Sequence, residues 1–82
     1  MFFAYILWSD KLQKYYIGYT DDIFRRLGEH NAGRSQYTKH GIPWILAYTE
    51  NFNTRCEAVR CEKEIKKRKS KKYIEHLIQS KE

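Results

Sequence analysis

Glu62 is the residue most suggestive of chemistry. At about 100° per residue, Ala58, Val59, Cys61 and Ile65 share one side of a helix, and Glu62 falls inside that apolar stripe. Glu57 and Glu64 fall well off it. A carboxylate on the buried side of a helix is costly unless it is paired or ligates a metal ion. It is therefore either half of a buried ion pair, with Arg26 as partner, or a ligand for a cation. Arg26 and His30 come next, one helical turn apart. They set a cation beside a proton carrier, and the guanidinium fork suits phosphate because it binds two oxygens at once. The alternative is an exposed surface pair.

Six tyrosines, at 5, 15, 16, 19, 37 and 48, fall in strand-like segments or a long loop. Most are packing residues, and a chemical role needs a hydroxyl in the same pocket as Glu62. Alternation along a strand places Tyr5 with Leu7 on one face and Ala4 with Ile6 on the other. Tyr15 and Tyr16 likewise point opposite ways. From Lys63 to Lys72 there are seven Lys/Arg and one Glu. Such a run either grips a phosphate backbone without reading sequence or is a solvated helix junction.

These groups need a frame. Phe2 to Trp8 and Lys14 to Tyr19 read as strands, closed by Gly18. A tight turn at Asp10-Lys11 would pair Tyr5 opposite Tyr16. Thr20-Asp21-Asp22 opens a helix that runs to about Asn31 and ends at Gly33. Ile23, Phe24 and Leu27 form its apolar side. A polar loop from Gly33 to Pro43 leads to a third strand, Trp44 to Glu50. Thr54-x-x-Glu57 is a capping-box pattern, and the helix it opens extends to about Lys69. Ser70 caps a last helix, Lys71 to Gln79, with Tyr73, Ile74, Leu77 and Ile78 inward. The expected fold class is α/β (α+β), in the order β-β-α-β-α-α, as one domain over residues 1–82.

The chain has 82 residues and a net charge of +6. Residues 1–52 contribute +1 and residues 53–82 contribute +5. A basic half of this kind points to a polyanionic partner. Seven Tyr, four Phe and two Trp supply apolar area that so short a chain needs for a core. Cys56 and Cys61 fit neither a zinc pair nor a disulfide framework. They read as reduced thiols of a cytoplasmic protein, with Cys61 in the core. No apolar run is long enough to span a membrane, and the start Met1-Phe2-Phe3-Ala4 lacks the marks of a signal peptide.

Together these pieces resemble the GIY-YIG nuclease superfamily, especially its small stand-alone bacterial members, related to the nuclease module of UvrC. Phe3-Ala4-Tyr5 stands for the first motif and Tyr16-Ile17-Gly18 for the second, with ten residues between the two tyrosines. The stretch from Tyr19 to Asn31 follows, with Thr20, Asp21, Arg25-Arg26, Leu27 and His30-Asn31. Thr38-Lys39, Pro43-Trp44, Glu57-Ala58 and Glu62-x-x-Ile65-Lys66-Lys67 complete the ordered set. Phe3 and Ala4 replace the Gly and Ile of the first motif.

The resemblance implies a three-stranded antiparallel sheet flanked by helices and a metal-dependent endonuclease acting on DNA, including structured or damaged DNA. It assigns Tyr5, Tyr16, Arg26, His30 and Glu62 to the catalytic site, with Glu62 holding one Mg²⁺ or Mn²⁺. Arg25, Arg34, Lys39, Lys63, Lys66 and Lys67 are the cations expected to grip nucleic acid. The expected assembly is a monomer or weak dimer, with room for a protein partner. The rival reading is a nucleic-acid-binding module whose cleavage is vestigial or partner-dependent.

Overall fold

Alternation along the first strand divides the molecule into two small cores. In the computed structural model, which describes residues 1–80, β1 (Phe2–Ser9) lies between β2 (Lys14–Thr20) and β3 (Trp44–Phe52) in an antiparallel sheet of order β2-β1-β3. Lys81 and Glu82, the end of the expected domain, lie outside the described residues. Tyr5 and Leu7 pack on one face with Trp44, Tyr16, Leu46 and Ile23 and Leu27 of helix α1 (Ile23–Asn31). Ile6 packs on the other face, with Tyr48, Ile65 of α2 (Arg55–Arg68) and Ile74 of α3 (Lys71–Ser80). Tyr15 joins this second cluster and Tyr16 the first, as strand alternation requires. The fold is thus a mixed α/β sandwich in the expected order, with α1 on one face and α2 and α3 on the other. Among the described residues no helix is long and apolar enough to cross a membrane.

The local signals act as their chemistry predicts. Asp22 caps α1, its side chain accepting from Arg25 N at 3.0 Å. The helix gives way at Gly33, whose φ of 77° suits glycine. Thr54 and Glu57 form a reciprocal capping box at the start of α2, and Ser70 Oγ accepts from Tyr73 N at the start of α3.

Three expectations are corrected. Residues 10–13 form a longer turn, with Gln13 at φ 55°, so Tyr5 pairs with Gly18 and Tyr16 with Leu7. The two motif tyrosines are therefore diagonal neighbours, not a direct pair. Phe24 does not face the core: it is 84% exposed, because Ile23, Leu27 and His30 already occupy the buried side of α1. Strand β3 runs on to Phe52, two residues past the expected end, because Asn51 and Phe52 stay paired with Phe3 and Phe2.

Candidate active site

Tyr5 starts in the central strand and reaches sideways across β2. A Cβ at Gly18 would lie 2.6 Å from the Tyr5 hydroxyl oxygen and 2.7 Å from its Cζ. The glycine of the second motif is thus the gap through which the first motif's tyrosine passes. Gly18→Ala should push the ring off this path. We expect about a tenfold loss of any Tyr5-dependent activity and about 1–3 kcal/mol of destabilisation, since overpacking a filled core costs that much. Cleavage rate and thermal melting of the variant check this.

At the end of that path the Tyr5 hydroxyl lies 3.1 Å from His30 Nε2. The other ring nitrogen, Nδ1, lies 2.7 Å from Thr38 Oγ1. All three side chains are buried. The Thr38 carbonyl accepts from Trp44 Nε1 at 2.7 Å, and the Asn31 side chain both accepts from Trp44 N and donates to Trp44 O. Gly41 makes room for the indole: a Cβ there would lie 2.5 Å from Trp44 Cζ2. The loop between α1 and β3 is in effect a bracket for the imidazole. Thr38, Asn31 and Trp44 were recognisable in the sequence as motif members, but nothing there showed that they hold His30, and Gly41 was not singled out at all.

Tyr16 completes the aromatic group, its ring centroid 5.0 Å from that of His30 and 6.4 Å from that of Tyr5. Arg26, a turn before His30 on α1, ion-pairs with Glu29 at 3.0 Å. Burial pushes the Tyr5 hydroxyl up to about 12; nearby Arg26 pulls it down, while Tyr16 and Glu62 push it further up. Tyr5 thus keeps its proton near neutral pH. Burial, and next the Arg26 charge, lower His30 to about 4, against a smaller opposing effect of Glu29. The imidazole is therefore neutral near pH 7.

Because His30 binds its proton more weakly in the folded chain than in the unfolded one, the unfolded state gains protons first as pH falls. Its contribution to stability is complete above about pH 6.5 and is lost as pH falls toward 4. The loss amounts to roughly 3 kcal/mol. Denaturant unfolding across that window should show the decline, and His30→Gln should flatten it.

Glu62 stands on α2 with its side chain only 13% exposed and Lys66 Nζ 3.4 Å away. Its partner is thus Lys66 and not Arg26, because each cation takes the carboxylate on its own helix. Its charge is nevertheless felt at Tyr5. Among the described residues no group of three or more His, Cys, Asp or Glu gathers to cage a metal. A single carboxylate is an ordinary protein share for Mg²⁺ or Mn²⁺, which keep waters and take phosphate oxygens as further ligands.

The six expected nucleic-acid-binding cations divide. Lys66 borders the groove that Tyr16 lines. Lys63 and Lys67 line a separate hollow with Cys56 and Arg60. Arg25 is held by Asp21 at 2.8 Å, and Arg34 and Lys39 are exposed on the loop after α1. Cys56 is exposed and Cys61 is half-buried against the Ile6 cluster, its thiol pushed up first by burial and then by Glu50 and Glu64.

A three-stranded sheet that brings two motif tyrosines, an arginine and a histidine together, with a helix-borne glutamate nearby, is the frame of a GIY-YIG catalytic domain. The chain matches that domain over residues 1–74 and belongs to the GIY-YIG family, a nuclease superfamily. It is 44% identical over 82 residues to a UPF0213 protein of Listeria monocytogenes, covering 99% of this chain and 90% of the relative. A UPF0213 protein of Bacillus velezensis is 38% identical over 85 residues, covering 99% and 84%. The solution NMR structure of a UPF0213 protein from Bacillus halodurans superposes with a TM-score of 0.60 at 36% identity, covering 99% of this chain and 86% of that one.

Proposed function

We propose that this chain, as a single nuclease domain, is a metal-dependent endonuclease that hydrolyses phosphodiester bonds in DNA. The observation that carries the reading is the hydrogen-bonded Tyr5–His30 pair with Tyr16 and Arg26 around it and the charge of Glu62 within its reach. A packed core does not require these polar groups to meet.

Each side chain has a distinct task. Glu62 would hold Mg²⁺ or Mn²⁺, and the ion would supply charge stabilisation at the scissile phosphate and the departing 3′ oxygen. Arg26 stabilises the extra negative charge on the phosphoryl oxygens of the transition state. Tyr16 borders the open groove and orients or deprotonates the attacking water. Tyr5, buried and protonated, holds a fixed hydrogen bond, and neutral His30 anchors that hydroxyl. Lys66 neutralises Glu62 before substrate arrives and then turns to a phosphate.

Closed circular DNA tests the endonuclease directly, because it offers no ends. Nicking in Mg²⁺ or Mn²⁺ but not in EDTA, leaving 3′-hydroxyl and 5′-phosphate termini, is expected. Intact circles together with salt-sensitive DNA binding would replace this reading by the non-cutting binding module.

A further inference from the structure

Tyr37 is a large aromatic residue held out in solvent, 84% exposed, next in sequence to buried Thr38. Its inner side rests on Tyr16, the ring centroids 6.1 Å apart. Its backbone is fixed by the bracket around His30, because Thr38 N and Lys39 N both donate to Ser35 O. A braced ring with a free outer face is a stacking surface.

The ground beside it is concave and cationic. A hollow of about 470 Å³ lies between Tyr37, Tyr16 and Lys66 along the edge strand β2. One neighbouring hollow, of about 260 Å³, adds Lys14 and Trp44. Another, of about 350 Å³, shares Lys66 and continues past Lys69 toward α3. The two left-handed non-glycine residues among those described, Gln13 and Lys69, both line this last hollow. Such backbone conformations persist where the surroundings hold them, often at binding sites.

The geometry points to a subsite for unpaired nucleotides along β2, in which a base stacks on Tyr37 and the sugar-phosphate backbone follows Lys14, Lys66 and Lys69. Stacked rings beside a cationic groove are how proteins hold single strands without reading sequence. Base pairs inside a duplex keep their faces covered and cannot use the ring. The subsite deepens the nuclease reading and rests on it for its biological meaning: because Tyr16 and Lys66 border both places, a strand seated on Tyr37 leads to the catalytic group. Substrates with an unpaired segment beside the cut would then be favoured over blunt duplex.

Fluorescence anisotropy with labelled oligo(dT) and a blunt duplex, both in EDTA, tests the subsite without requiring cleavage. Tyr37→Ala should weaken oligo(dT) binding about tenfold and leave the duplex nearly unchanged, and Tyr37→Phe should restore the binding because the ring remains. Tyr37 is 84% exposed, so its truncation leaves the core intact, and circular dichroism checks the fold of the variant. Unchanged oligo(dT) binding in Tyr37→Ala, or equal losses for both DNAs, would overturn the subsite. The two readings fail separately. Ring-dependent binding without cleavage of any DNA by the wild type would sink the nuclease and keep the subsite; cleavage without ring dependence would do the reverse.

Discussion

Glu62→Gln should lose at least about a thousandfold of the metal-dependent cleavage rate. The loss of the carboxylate proposed to hold the metal removes several kcal/mol of transition-state charge stabilisation, and each 1.4 kcal/mol is about tenfold. The fold should barely respond, since the Glu62–Lys66 pair at 3.4 Å involves a half-exposed lysine and such pairs contribute at most about 1 kcal/mol. DNA binding in EDTA should hold or strengthen slightly, because a negative charge has left a surface that meets phosphate. Single-turnover rates and anisotropy on one protein preparation separate these effects. Full-rate cleavage by this variant would remove Glu62 from the metal site.

Arg26→Ala should slow cleavage by about a hundredfold to a thousandfold, the usual cost of removing a preorganised charge donor. Arg26→Lys should recover little of this, because an ammonium lacks the planar fork that meets two phosphate oxygens. Stability again changes little: Arg26 is half-exposed and its pair with Glu29 lies on one helix. The effect should fall on the rate at saturating DNA more than on affinity, which places the arginine at the transition state. A variant that binds more weakly but cuts at the normal rate once bound would make Arg26 a substrate-gripping residue.

The catalytic candidates were legible in the sequence for unequal reasons. Glu62 announced itself by breaking an apolar helical stripe, and its low exposure shows that the stripe was real. The facing of Tyr5, Tyr15 and Tyr16 followed from strand alternation alone. What failed was register, because it depends on turn length: a left-handed Gln13 extends the turn beyond the tight one expected at Asp10-Lys11. Phe24 misled because a helix with several apolar residues does not say which flank the sheet will cover. Thr38 was invisible as a support for His30 because the contact is made by the fold of a loop, not by a spacing. The division of the lysines, with Lys66 toward Tyr16 and Lys63 and Lys67 elsewhere, likewise needed the rotation of α2 against the sheet.

Gly18 shows how a motif can carry geometry without chemistry. It contributes no functional group, yet the absence of its Cβ lets Tyr5 reach His30. Gly41 does the same for Trp44, and so for the loop that holds Thr38. The aromatic group is thereby positioned by backbone as much as by side-chain packing.

The central claim is that Tyr5, Tyr16, Arg26, His30 and Glu62 form one hydrolytic site. Its most direct test is single-turnover cleavage of end-labelled duplex, nicked, flap and four-way-junction DNA, in Mg²⁺, Mn²⁺ or EDTA, by the wild-type chain beside Glu62→Gln. The account predicts products from at least one of these DNAs in the metal-containing lanes of the wild type alone. Equal products from both proteins, or products that persist in EDTA, would contradict it.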